Sequence, residues 1–126
     1  MVLDSSVLLH ILFREPGYQE VSRRLNDAPR LLVGAPTLVE AAMVLVRREG
    51  DAQRFLLDEL LRKLAVEVVP FGEAHYREAI SAFRRYGKGH HPASLNFGDC
   101  LSYAVAKVAG LPLAYVGDDF AQTDLA

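Results

Sequence analysis

Apolar positions along the chain alternate between short uninterrupted runs and helical spacing. Val2 and Leu3 form a brief apolar entry that stops at Asp4, and Val7, Leu8, Ile11 and Leu12 then recur at helical spacing up to the breaker Glu15, Pro16, Gly17. A strand feeding a helix is predicted. A second helical pattern runs from Tyr18 through Val21 and Leu25 to the break at Pro29, and Leu31 to Gly34 suits a buried strand. Helix resumes at Pro36, with Leu38, Ala42, Leu45 and Val46 on one face and Gly50 as its stop. Phe55, Leu56, Leu60 and Leu64 give a further amphipathic helix, so two helices follow each other here. Ala65 to Phe71 is rich in β-branched residues and reads as a strand; Tyr76, Ile80 and Phe83 mark a helix ending at Tyr86 and Gly87. Residues 87–95 form a polar loop. Leu101, Ala104, Val105 and Val108 are helical, and Gly110 with Pro112 ends that helix before a strand over Leu113 to Val116.

Strands that alternate with helices call for crossovers, and crossovers cover both faces of a parallel sheet. The expected fold is α/β, a three-layer α/β/α sandwich with a mostly parallel central sheet. At 126 residues the chain has the length of one domain, since roughly 150 residues is the usual share of each, so residues 1–126 are read as a single domain. With 51% hydrophobic and 24% charged residues, the composition excludes a disordered tail or a coiled coil. No apolar run approaches the ~20 residues that cross a bilayer, and Asp4 stands where a signal peptide wants basic residues; a soluble, cytoplasmic protein with no membrane partner is expected. One cysteine, Cys100, makes neither an internal disulfide nor a Cys-rich zinc site. The net charge of −2 announces no nucleic-acid binder, but divalent ions held by clustered carboxylates would reverse its sign.

In open α/β sheets, ligands sit beyond the carboxyl ends of the strands, which draws attention to acids where strands stop and helices begin. Asp4 follows the first strand, Asp118 and Asp119 follow the last, and Glu40 and Asp99 lie in opening turns of helices. Each has an ordinary alternative. Asp4 can serve as an N-cap. Glu40, three residues after Thr37, can close a capping box, although Pro36 at N1 would make Ala35 the cap. Asp99, three after Asn96, can be an N3 acid favoured by the helix dipole, and the Asp118–Asp119 pair can be a polar turn. If they converge, clustered like charges need a cation, and Mg²⁺ or Mn²⁺ suits an all-oxygen set of ligands. One or two such ions above a phosphate point to phosphodiester hydrolysis.

The opening VLDSSVLL, the PTLVEA segment, RRYGKGHHPASLNFGDCLSYAVAK and the ending GDDFAQTD together resemble the PIN-domain ribonucleases of the VapC toxin type, over nearly the whole chain. The resemblance implies a Mg²⁺-dependent or Mn²⁺-dependent endoribonuclease, the toxin of a type II toxin–antitoxin pair, acting on RNA and blocked by a VapB-type antitoxin. Asp4, Glu40 and Asp99 carry over directly as catalytic metal ligands. The family's fourth Asp precedes the Phe and is Asp119 here, with Asp118 beside it as an alternative. Ser6 matches a hydroxyl that orients a metal ligand or its water. Ser5 replaces the Thr often found there, and any strand after the last motif must be short. In such a site the ion lowers the pKa of a water and stabilises charge developing on the phosphate, and no histidine is required.

Among the remaining polar groups, Lys88, Arg85 and His90 are candidates for RNA contact near a Gly-rich loop, as are Arg14, Arg47 and Arg48 elsewhere; solvated helix faces explain them equally well. His10 and His75 read as structural. Cys100 reads as core rather than nucleophile, with no base beside it. The broad apolar stripes Leu38 to Val46 and Phe55 to Leu64 exceed what one small sheet hides and, with the family likeness, predict a homodimer. A Mg²⁺-binding receiver-like signalling domain is the main rival. It would want an acidic pair after the first strand and a Lys after the last, where this chain has Asp4 alone and no Lys beyond Lys107. A haloacid-dehalogenase-type phosphatase would want Asp where Ser6 stands. A catalytically silent PIN-fold binding module would not need the acidic quartet.

Overall fold

Alternate residues of each strand feed different cores, as the pleat of a sheet buried on both faces requires. In the computed structural model, which describes residues 1–126, strand β1 (Val2–Leu3) sends Val2 into one apolar cluster and Leu3 into the other. The same division holds for Leu32 and Val33 of β2 (Leu32–Gly34), and for Leu113 and Ala114 of β4 (Leu113–Ala114). With β3 (Glu67–Val69) these strands form one sheet in the order β3-β2-β1-β4, every pair parallel. The sheet is α/β in the expected sense, with helices on both sides.

On one side lie α1 (Ser5–Leu12), α2 (Tyr18–Asp27), α3 (Ala35–Glu49) and α4 (Phe55–Lys63), whose Val7, Leu8, Leu25, Ala41, Leu45 and Leu57 complete the core around Leu3 and Val33. On the other, α5 (Glu73–Tyr86) and α6 (Phe97–Ala109) pack closely on each other, and Tyr103, Ala104, Val105 and Phe120 fill the core around Val2 and Leu32. Helix α6 is the most deeply seated element, with eight of its residues buried from Gly98 to Ala106. It ends at Gly110, whose φ of 66° is left-handed and whose N–H returns to the carbonyls of Ala106 and Lys107.

Three boundaries differ from the sequence expectation, each for a local reason. The strand expected over Ala65–Phe71 shrinks to Glu67–Val69, because Ala65 turns off α4 at a φ of 54° and Pro70 has no N–H for the ladder. The strand expected over Leu113–Val116 stops at Ala114, since Val116 gives its N–H to the Ser6 hydroxyl at 3.0 Å instead of to a neighbouring strand. Helix α3 starts one residue early: Gly34 is its cap, with Pro36 within the first turn. A Cβ at Gly34 would stand 2.7 Å from Val105 Cγ2, so the absence of a side chain lets β2 end against α6. A single 3₁₀ turn, Asp51–Gln53, separates α3 from α4. No helix is long and apolar enough to cross a membrane.

Candidate active site

Parallel strands release their chains at one edge of the sheet, and the candidate acids enter the structure there. Asp4 leaves β1 as the N-cap of α1 and is 5% exposed. Its Oδ2 accepts from the Ser6 N–H at 3.1 Å, and its Oδ1 accepts from the Ser102 hydroxyl at 2.6 Å. Ser102 is buried on α6, and its one proton is committed to Asp4. The Thr37 hydroxyl of α3, 3.3 Å away, therefore donates to Ser102. The first carboxylate is thus fixed by a chain of two buried hydroxyls from two other helices.

Asp99 sits one turn before Ser102 and is 7% exposed. Its N–H donates to Asn96 Oδ1 at 2.9 Å while its own Oδ2 accepts from the Asn96 N–H at 3.0 Å, a reciprocal cap of α6. Capping uses one carboxylate oxygen and leaves Oδ1 without a partner in the protein. Burial pushes the Asp99 carboxyl up to about 6; repulsion by Asp119, Asp4 and Glu40 adds to this, and the Asn96 N–H opposes it. Those three repulsions also locate the neighbours: carboxylates from β1, α3 and the segment after β4 all bear on the head of α6. Of the two adjacent acids after β4, it is Asp119 whose charge bears on Asp99.

Glu40, on α3, lies over the first turn of α6, where a Cβ at Gly98 would collide with its carboxylate. The capping-box role of Glu40 with Thr37 is not used, because Gly34 caps the helix and the Thr37 hydroxyl points to Ser102. Ser6 reaches Asp4 through its backbone N–H, and its hydroxyl holds Val116 at the exit of β4. The residues that position Asp4 through their hydroxyls are Ser102 and Thr37, which sequence reasoning missed. Their signal was spacing: Ser102 is three residues after Asp99 and Thr37 three before Glu40, one helical turn in each case.

The candidate ligands at this edge are carboxylates, and none of the eight ion pairs in the structure involves Asp4, Glu40, Asp99, Asp118 or Asp119. Four negative groups gathered without a protein cation fit a hard divalent ion. No three of the acids converge tightly enough to be direct ligands of one ion together, which narrows the five-acid ligand set expected from sequence. That spacing suits an ion that takes one or two carboxylates directly and reaches the others through its waters.

A family model for the PIN domain matches residues 1–125. The chain belongs to the PIN-domain family. This PIN domain is 40% identical over 126 residues to Ribonuclease VapC of Mycolicibacterium smegmatis, a match covering 100% of this chain and 98% of that protein. It is 39% identical to Ribonuclease VapC36 of Mycobacterium tuberculosis, covering 99% and 91% of the two chains. The crystal structure of M. tuberculosis VapC20, described as a sarcin–ricin loop cleaving toxin, superposes with a TM-score of 0.77 at 17% identity over 99% of this chain and 97% of that one. A toxin–antitoxin complex from Klebsiella pneumoniae gives a TM-score of 0.70, also at 17% identity, over 98% and 92%. These two likenesses establish the shared PIN-like fold. PIN-domain ribonucleases are generally dependent on divalent metal ions.

The other candidates of the sequence fall in distinct places around this PIN domain. Lys88 and His90 are exposed on the loop leading to α6, with the His90 ring set edge-on against Phe83 at 5.1 Å. Arg85, also exposed, donates to the hydroxyls of Tyr103 at 3.2 Å and Tyr86 at 2.8 Å. His75 accepts the Gly72 N–H as a helix cap, and His91 accepts the Ala93 N–H within its loop. Cys100 is buried, and desolvation followed by the Asp99 charge pushes its thiol up to about 11, which keeps it protonated. Arg48 lies over the Phe13 ring at 3.8 Å. Beside Glu40 and Gly98 opens an apolar groove of about 1360 Å³ between α3 and α5, walled by Val39, Met43, Ile80, Phe83 and Phe97.

Proposed function

We infer that this PIN domain is a divalent-metal-dependent endoribonuclease and the toxin of a type II toxin–antitoxin pair. The observation that carries the reading is the convergence of Asp4, Glu40 and Asp119 on Asp99, which burial and repulsion hold well above the usual carboxylate range. Its ribonuclease relatives, similar over 91% and 98% of their length, supply the substrate class, RNA. Mg²⁺, with Mn²⁺ as substitute, is the ion the oxygen donors fit. Asp4 and Asp99 are assigned as its direct ligands, with Glu40 and Asp119 reaching it through its waters. When bound, the ion supplies an activated water and stabilises the charge that develops on the scissile phosphate.

The chain's own residues orient that chemistry. Ser102 and the Ser6 N–H fix the Asp4 rotamer, the Asn96 cap fixes Asp99, and Glu40 is held above Gly98 by α3. Ser6 itself acts by tying α1 to the exit of β4, upstream of Asp119. Exposed Lys88 and His90 are assigned to phosphate contact along the RNA, with Arg85 contributing whatever donors its tyrosine contacts leave. The partner is a VapB-type antitoxin, a reading supported by the toxin–antitoxin complex that shares the fold.

The chain also forms a homodimer through the face of α3 and α5, where Val39 is 57%, Met43 58% and Tyr76 59% exposed. Residues 1–126 act as one domain, in the cytoplasm. The decisive experiment incubates purified protein with a mixed RNA pool in Mg²⁺ and in chelator. Cleavage that stops in chelator and returns with Mg²⁺ or Mn²⁺ is expected, and cleavage that survives chelation overturns the reading.

A further inference from the structure

The GDDFAQTD motif contains a second acid that the carboxylate site does not use. Asp124 lies five residues beyond Asp119, and its side chain is 34% exposed. Tyr103, fully buried on α6, donates its hydroxyl to Asp124 Oδ1 at 2.8 Å, while Lys107, one turn further along α6, donates to Oδ2 at 2.7 Å. Arg85 of α5 donates to the same Tyr103 oxygen at 3.2 Å and stands 3.7 Å from Asp124. Tyr103 follows Asp99 by four residues, so the two side chains share one face of α6.

The segment between the two acids is tightly wound. Phe120 is fully buried against Tyr115, with ring centroids 5.2 Å apart. The Ala121 N–H returns to the Asp118 carbonyl at 3.1 Å, the Thr123 N–H to the Phe120 carbonyl at 3.1 Å, and the Thr123 hydroxyl to that same carbonyl at 2.8 Å. An anchor at Asp124 is thereby transmitted along a short, internally bonded strap to Asp119.

We propose that the Tyr103–Asp124–Lys107 clasp is a positioning device that sets the fourth carboxylate, Asp119, against Asp99 on the same helix and so tunes affinity for the divalent ion. The proposal rests on the metal reading above. Asp124 touches no reacting atom; it acts through the strap. Burial works against ionisation of Asp124, but the hydrogen bonds from Lys107 and Tyr103 outweigh it and hold its carboxyl below the ordinary range, so the clasp is closed at neutral pH.

The test compares wild type with Asp124→Ala, Asp124→Asn and, as a control, Arg30→Met, which removes an exposed ion pair to Glu67 at the far edge of the sheet. Mn²⁺ binding is measured by calorimetry, exchange of the Ala121 and Thr123 amides by NMR in metal-free protein, and cleavage as a function of Mn²⁺. For Asp124→Ala we expect strap amides exchanging at least ten times faster and Mn²⁺ affinity five to ten times weaker. Its turnover at saturating Mn²⁺ should stay within twofold of wild type. Asp124→Asn, which still accepts from Tyr103, should fall between, and Arg30→Met should match wild type. Faster exchange with unchanged Mn²⁺ affinity would make the clasp purely structural, and weaker affinity with unchanged exchange would remove the strap as its route; either overturns the proposal. A wild type without Mn²⁺ affinity would instead overturn the metal reading, and the exchange comparison would still decide whether the clasp holds the strap.

Discussion

Asp99→Asn separates the electrostatics of the site from the folding role of the same residue. The amide keeps the reciprocal cap, because its oxygen accepts from the Asn96 N–H in place of Oδ2. It removes a carboxyl pushed from 3.8 to about 6, first by burial and then by the charges of Asp119, Asp4 and Glu40. A pKa unit is worth about 1.4 kcal/mol, so keeping this group ionised costs the metal-free fold about 3 kcal/mol at most, and water reaching the site lowers our expected figure to about 1–2 kcal/mol. The folded state holds the Asp99 proton more tightly than the unfolded chain does. Stability of the metal-free wild type therefore falls as pH rises from about 4 to about 6, and the full cost applies above that window. The variant should gain about 1–2 kcal/mol at pH 8, or about 4–8 °C in melting temperature, and the gain should shrink toward zero at pH 4. Urea and thermal unfolding in chelator at both pH values measure it. A variant less stable than wild type at pH 8, or a gain independent of pH, refutes the electrostatic reasoning, whatever happens to cleavage, which should be lost.

Gly98→Ala should leave the melting temperature within a few degrees, since alanine favours helix by up to about 1 kcal/mol, yet reduce Mg²⁺-supported cleavage at least tenfold because its Cβ displaces the Glu40 carboxylate. Ser102→Ala removes a short hydrogen bond to a buried carboxylate and should cost about 1.5–3 kcal/mol in chemical unfolding, with a parallel loss of metal affinity. The proposed homodimer predicts dimers for the wild type in analytical ultracentrifugation and monomers for Met43→Asp, which places a charge on the apolar face of α3, with circular dichroism unchanged.

The alternation of elements was readable from sequence because strand and helix use different periods, and the breakers Gly50, Gly87 and Gly110 directly follow the ends of α3, α5 and α6, while Pro16 lies in the gap between α1 and α2. Strand lengths were not, since Ala65 and Val116 leave the sheet through a turn conformation and a hydroxyl contact that no residue type announces. Asp4, Glu40 and Asp99 stood out by their place after strands and at helix starts. Asp118 and Asp119 are adjacent in a turn and look alike as residue types, so sequence offered both, and only the folded chain brings the charge of Asp119 to bear on Asp99. Ser102 and Thr37 carried only a weak signal, their one-turn spacing from Asp99 and Glu40: on a helix, hydroxyl residues are ordinary, and the Asp4 that they serve lies far along the chain.

Strand β1 is only two residues long, is paired on both sides, and ends directly at Asp4. A shift of one position in its pairing would exchange Val2 and Leu3 between the two cores and carry Asp4 out of reach of Ser102. Misaligned molecules would therefore lose core packing and the Asp4 site together, so the same two residues that seat the strand also place the first carboxylate.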